Sequence, residues 1–228
     1  MEKQFFEIFN IKLLEPGTFI SDLLMAFACY YFYYSTRKIA TTKYHNQLSY
    51  FFLFMGFSSF AGAFAHSLFF YTGKTLHYVS WVLTGISVFF IELGVSSHIV
   101  NDKPRSVFVI LIKAKLLIYF IVSSIFMDFL YVKINTAVGM LGLVFPIILY
   151  QIIKFDKKGF IYILLGILLA IMPALLHRTK FQIAWIFNMN DLSHFFLIFC
   201  MFLVYLGLKS GISSNVYNLN EEYSIKLN

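Results

Sequence analysis

The sequence predicts an all-α integral membrane bundle of seven transmembrane helices, and three observations carry that expectation. The chain is 60% hydrophobic and 13% charged over 228 residues, whereas soluble domains run at about 45–50% apolar and about 25% charged. Apolar windows of roughly the 20 residues a span needs recur at 18–36, 48–71, 76–100, 106–126, 131–153, 159–177 and 188–209. The segments between them are short and hold most of the Lys and Arg. No room remains for a second soluble domain.

Taken in order, residues 1–17 read as an interfacial N-terminal segment. Glu2, Lys3, Glu7, Lys12 and Glu15 break any signal-peptide core. Phe5, Phe6, Ile8, Phe9 and Leu13 predict a short helix lying in the interface, ended by Pro16-Gly17. The first span runs into Arg37-Lys38, and Thr72–Thr75 alone separates the second from the third. Lys113 and Lys115 interrupt the fourth span, and Lys133 lies early in the fifth. All three are expected to snorkel toward the interface. The sixth window ends at His177, and the seventh opens on Asn188-Met189-Asn190-Asp191-Leu192-Ser193-His194. Residues 210–228 are polar and Asn-rich, and are expected to be unstructured. The transmembrane domain therefore spans 18–209, with no internal repeat evident. Cys29 and Cys200 each sit in an apolar run, so no disulfide framework is expected.

A formal charge of +7 would point to nucleic acid in a soluble protein. Here the basic residues lie between apolar runs, so membrane lipids are the expected partners and nucleic acid is not. Arg37, Lys38, Lys43, Lys103, Arg105, Lys154, Lys157, Lys158 and Lys209 fall on one side of the seven spans; Lys3, Lys12, Lys74, Lys133, Arg178 and Lys180 fall on the other. That bias predicts an outer N-terminus and a cytoplasmic C-terminus, in the cell membrane. It says nothing of oligomeric state.

Polar residues inside the spans are the lead to function, because ionisable groups in a membrane persist mainly where they face protein or water. His66 lies near the end of the second span and Asp22 near the start of the first. His77 and Trp81 start the third, and Asn190, Asp191 and His194 start the seventh, after Asn188. Helix parity puts all of them in one leaflet. Asn190, Asp191 and His194 share one helix side, as do Ser59, Gly62 and His66. A stripe of His77, Ser80, Trp81, Thr84 and Ser87 or Val88 leads toward Glu92. For Glu92 three readings stay open: a protonated acid, an inward-snorkelling one, or the end of a polar path.

Blander roles compete. Asn188 and Asn190 can cap the seventh helix, with Asp191 favourable at its positive end. Trp81 and Trp185 read more readily as interface aromatics, Ser58 and Ser59 as packing residues, and His45, His98 and His177 as residues of helix ends. The chemistry open to the set is metal binding. His66 and His194 would hold a zinc ion with Asp191, Asp22 or His77 as third ligand, leaving a position for water. The remaining carboxylate would orient a ligand or act as base. Asp22 and Asp191 are thus the candidate catalytic groups, and Asn188, Asn190, His77, Trp81 and Ser59 the candidate pocket for a lipid or other small substrate. A receptor, sensor or small-solute carrier would use the same pocket without chemistry. A retinal photoreceptor is excluded, because Lys209 lies at the end of the last span.

In layout the chain resembles the superfamily that joins alkaline ceramidases with the adiponectin/progestin receptors, seven-helix membrane proteins with zinc amidohydrolase chemistry. That family carries Ser-x-x-x-His on the second helix, Asp on the third and His-x-x-x-His on the seventh. The corresponding positions here read Gly62-x-x-x-His66 and Asn190-x-x-x-His194, and the third span offers His77 or Glu92 with no Asp. The chain also resembles bacterial seven-helix relatives with an acidic residue and a Ser-Asp step on helix one (Glu15, Ser21-Asp22) and Asn-Asp-Leu-x-His on helix seven. The resemblance implies a membrane-embedded lipid amide or ester hydrolase, with Asp22 or Asp191 in place of the missing zinc histidine.

Overall fold

A computed structural model describes residues 5–8, 10–155, 158–179 and 188–225. Expectations for Glu2, Lys3, Phe9, Lys157, Lys180 and Trp185, and for the side chains of His177 and Arg178, lie outside the described residues. The expected interfacial helix is not formed. Strand β1 (Phe5–Ile8) pairs antiparallel with β2 (Ile11–Leu14), Phe5 opposite Leu14 and Ile8 opposite Ile11. Asn10, at φ 62, makes the turn, a left-handed conformation that Asn tolerates. A helix this short is costly to nucleate, whereas Phe and Ile suit strands. The hairpin is also anchored, since Lys12 N–H donates to the Tyr71 hydroxyl at 3.0 Å.

Beyond it the described chain is helical. Helix α1 (Pro16–Ile39) takes Pro16 in its first turn and Arg37 and Lys38 in its last, placements that spare an orphan N–H and suit the helix dipole. Helix α2 (Lys43–Ser67) is capped by Thr42, whose hydroxyl accepts from His45 N–H. After the single turn α3 (Phe69–Thr72), Gly73 at φ 54 reverses the chain into α4 (Thr75–Ser96). Asn101 caps α5 (Asp102–Phe126), and Asp128 caps α6 (Phe129–Ala137). A π-helical stretch, Val138–Val144, joins α6 to α7 (Phe145–Phe155). The sixth window breaks at Ala170 into α8 (Ile161–Leu169) and α9 (Ile171–Thr179). Helix α10 (Met189–Ile225) runs past the expected end of the seventh window. As far as Ile225 the tail expected to be unstructured continues the helix, with no Gly or Pro after Gly211 to interrupt it.

Among the described residues five stretches are long and apolar enough to cross a membrane: Lys43–Ser67, Thr75–Ser96, Asp102–Phe126, Phe129–Phe155 and Met189–Ser210. Helix α1 has the length, but Tyr30, Tyr31, Tyr33 and Tyr34 dilute its apolar character. Lys158–Pro173 is apolar but shorter.

Helix α2 lies between α1 and α4; α10 packs on α1 and α8, and α5 on α4. Phe51, Phe52, Leu48, Ile91, Ile163 and Leu208 fill the core and are almost wholly inaccessible. Small residues bring backbones together, as in membrane packing. A Cβ on Gly166 of α8 would lie 2.9 Å from the Cys200 carbonyl of α10. By contrast α5 and Phe129–Phe155 turn most of their apolar surface outward, so they form the rim of the bundle.

Candidate functional site

The site is built first from the polar face of α1. Glu15 precedes Pro16 at φ 49, ψ 59, a left-handed conformation that costs a non-glycine residue of order 1–3 kcal/mol and tends to occur at functional sites. It keeps the Glu15 carbonyl on the first helical bond, from Phe19 N–H at 3.0 Å. Its carboxylate Oε2 then meets His66 Nδ1 of α2 at 2.8 Å. One turn further on, the Thr18 hydroxyl donates to Asp191 Oδ1 of α10 at 2.8 Å. Ser21 Oγ lies 2.9 Å from His194 Nδ1, and Asp22 Oδ1 lies 3.5 Å from His194 Nε2. Thus α1 touches α2 and α10 through a run of polar side chains on helical spacing.

The start of α10 closes on itself. Asn188 Oδ1 accepts from Asn190 N–H at 2.7 Å and Asp191 N–H at 3.4 Å, while Asn188 N–H donates to Asp191 Oδ2 at 2.8 Å. This reciprocal cap satisfies N–H groups that a helix start leaves orphaned. Asn188 Nδ2 also donates to Thr18 Oγ1 at 3.3 Å. Both oxygens of Asp191, which is buried, are therefore engaged by neutral donors. In this arrangement Asp191 and Asn188 cap and tether α10, and Asn190 adds its N–H to the same cap.

Three imidazoles gather at this end, with His194 beside Asp22. The His66 ring centroid is 4.8 Å from that of His77 and 6.5 Å from that of His194. Asp22 is buried, 5% exposed, and its Oδ2 has no hydrogen-bond partner. That oxygen faces Gly62 of α2, where a Cβ would lie 3.2 Å away; a larger residue would crowd the acid. Trp81, expected as an interface aromatic, packs inside the protein. It is buried against Tyr119 and Val132, with its ring 6.2 Å from His77. Ser59 is buried on α2. Its neighbour Ser58 makes the cross-helix bonds, to Ser80 O at 2.8 Å and Thr84 Oγ1 at 2.7 Å.

The structure thus brings together Asp22, His66, His77 and His194, and adds Glu15 and Ser21. Thr18, whose type and apolar surroundings give no sign of a polar role, shares their stripe: 15, 18 and 22 follow the i, i+3, i+7 spacing of one helix face. The donors do not fit a zinc centre. A structural or catalytic zinc draws its ligand atoms to within about 2.0–2.2 Å of one point. Among the described residues no three His, Cys, Asp or Glu side chains are arranged to hold a metal. Asp191, expected as a ligand, has both oxygens taken up by its cap and by Thr18, while the Nδ1 contacts of His66 and His194 with Glu15 and Ser21 leave their Nε2 atoms as the only ring nitrogens for any ligand.

Two further features lie away from this end. Lys115, expected to snorkel, instead turns its ammonium to Glu92 Oε1 at 2.8 Å, because a buried acid on the neighbouring α4 offers a closer partner than the interface. A recess of about 430 Å³ opens at the far end of α4, lined by His98, Phe108, Pro146, Tyr150 and Gln151 among others. It shares none of the residues above.

In the comparisons with known proteins, a family of unknown function, DUF6962, matches residues 17–213. No curated protein and no solved structure matches the chain.

Proposed function

Since the chain belongs to the family of unknown function DUF6962, its own residues must supply the reading, and we propose a proton-linked small-solute carrier or sensor of the membrane. It would cross the membrane seven times, through α1, α2, α4, α5, the Phe129–Phe155 rod, α8–α9 and α10, with its N-terminus outside. The carrying observation is Asp22: a buried carboxylate with one oxygen beside His194 and the other without a hydrogen-bond partner. An acid in that position, beside the His194 imidazole, is a place to take up and pass on a proton. Ser21 sets the direction. Its single hydroxyl proton has two acceptors, Thr18 O at 3.1 Å and His194 Nδ1 at 2.9 Å. When it turns to Thr18, His194 carries hydrogen on Nδ1 and presents a lone pair to Asp22. When it turns to His194, Nε2 carries the hydrogen and donates toward Asp22.

The test is infrared difference titration of the purified protein. Acidification should raise a protonated-carboxyl band that Asp22→Asn removes. In proteoliposomes carrying a pH-sensitive dye, the same substitution should slow proton entry about tenfold or more, the equivalent of ~1.4 kcal/mol. A wild-type protein with no such band, and no proton entry above empty vesicles, refutes the reading.

One observation favours a second reading, as a lipid amide or ester hydrolase that uses no metal. Ser21, His194 and Asp22 stand in the order nucleophile, base and acid. A fluorophosphonate probe would then label Ser21, and Ser21→Ala or His194→Gln would abolish the labelling; an unlabelled wild-type protein rejects this reading.

A further inference from the structure

The recess at the far end of α4 is absorbed by neither reading. Its walls are His98 and Ile99 just after α4, Phe108 of α5, and Gly142, Pro146 and Tyr150 of the π-helical stretch and α7. Gly142, Pro146 and Tyr150 recur every four residues and so lie along one helix face, a furrow of about 12 Å at the helical rise. The furrow is open because its floor is small: a Cβ on Gly142 would meet no atom within 4 Å. Gln151, 2% exposed, donates from Nε2 to the His98 carbonyl at 3.3 Å. That bond fastens α7 to the end of α4, while α5 packs on α4 and α6, and the recess of about 430 Å³ lies between α5 and α7.

Walls and mouth differ in chemistry. Ile99, Phe108, Ile147 and Phe155 make the lining apolar, and Val107, Ile110 and Ile153 beside it on α5 and α7 are exposed. A hydrocarbon chain of the surrounding bilayer therefore reaches the recess sideways. Toward the helix ends a basic residue follows the lining on both sides: Arg105 three residues before Phe108, and Lys154 four residues after Tyr150. Residues three or four apart are neighbours on a helix surface, so each cation stands on the face that lines the recess. Arg105 pairs with Asp102, but an exposed pair of this spacing contributes little, and the guanidinium fork can turn to a stronger anion. In the sequence Lys103, Lys157 and Lys158 join these two cations against Asp102 and Asp156, so bases outnumber acids at this end.

We propose that the recess seats one acyl chain of an anionic phospholipid from the adjoining leaflet, with the lipid phosphate between Arg105 and Lys154. The furrow supplies shape and the cations supply selection. A tail that moves from the bilayer into the recess stays among apolar groups and gains little by the move, so the head group decides which lipid remains. Arg105 offers a phosphate a pair of N–H donors and Lys154 a point charge, and basic pockets between transmembrane helices hold anionic head groups. A zwitterionic lipid would fill the furrow but bring its own cation against Arg105 and Lys154. Free phosphate would meet the cations and leave the apolar furrow unfilled. An anionic lipid satisfies both halves of the site. The proposal does not rest on Asp22, and its failure would leave the carboxyl titration of that residue untouched.

The test is native mass spectrometry of the full chain released from detergent, titrated with phosphatidylglycerol or with phosphatidylcholine of the same acyl chains. The wild type should retain a first phosphatidylglycerol at about thirtyfold lower concentration than phosphatidylcholine, the effect of two basic residues beside an anionic head group. Arg105→Gln combined with Lys154→Gln should bring the two lipids level. Gly142→Leu fills the furrow from a position with open space before it, and should cut retention of phosphatidylglycerol while the unfolding midpoint stays at or above that of the wild type, leucine being the better helix former. Lys133→Gln removes an exposed cation near the other end of the Phe129–Phe155 rod and should leave the preference intact. Equal retention of the two lipids by the wild type overturns the proposal. So does undiminished retention by Gly142→Leu, or a loss of preference in Lys133→Gln as large as in the double variant.

Discussion

At the residue scale, the most informative position is Gly62, because it decides how closely Asp22 can approach α2. A Cβ there would stand 3.2 Å from Asp22 Oδ2, tight for carbon against a carboxylate, and the gain of an alanine over glycine in a helix offsets part of that strain. The instructive comparison is therefore Gly62→Ala with Gly62→Ser, which differ by one hydroxyl. The serine hydroxyl should donate to the unpartnered Oδ2, making Gly62→Ser more stable than Gly62→Ala by about 1.5–3 kcal/mol, the range of a hydrogen bond to a charged group. Equal unfolding midpoints in detergent would show that Oδ2 is already satisfied. The polarity of His66, His194 and Asp22 was legible in the sequence, but the lack of a hydrogen-bond partner for Oδ2 was not. It depends on which residue of another helix lacks a side chain at that height.

At the element scale, α1 and α10 are held together by polar contacts as well as apolar ones. Thr18→Val keeps the shape of the side chain and removes the hydrogen bond to Asp191, leaving buried Oδ1 without its donor. The expected cost is about 1–3 kcal/mol of stability. Asn188→Ala removes the helix cap, for about 0.5–2 kcal/mol, and the tie from Asn188 to Thr18 with it. Urea unfolding of both variants followed by circular dichroism checks the pair; a neutral Thr18→Val would mean that water replaces the tether. The cap was readable in the order Asn188-x-Asn190-Asp191, since capping is local chemistry. Thr18 was not, because a threonine in an apolar run reads as packing until its partner 173 residues away is placed. The N-terminal hairpin was misread as a helix for the same reason: its apolar residues suit either state, and the bond from Lys12 to Tyr71 is tertiary.

At the scale of the whole molecule, seven apolar windows predict that successive loops alternate between the two sides of a membrane. The natural cysteines make this simple to test, because Cys29 and Cys200 are buried at 0% and 2% exposure. The folded wild type should resist a membrane-impermeant maleimide. Lys74→Cys should be labelled from outside and Lys103→Cys only after the membrane is opened; labelling of both from one side would remove a span between them. The windows are legible because hydropathy and length are properties of a contiguous segment. Helix parity likewise follows from their count, which is how Asp22, His66, His77 and His194 are expected at one end before any coordinates exist. What only the tertiary structure decided is the pairing inside that bundle. His66 and His194 turn their Nδ1 atoms to Glu15 and Ser21, Asp191 closes a cap, and Lys115 pairs with Glu92 instead of reaching for the interface. Composition and period act along the chain, so a sequence carries them openly. The partner of a buried polar group depends on helix rotation and on glycine gaps such as Gly62 and Gly139, where a single absent methyl group decides which carboxylate fits.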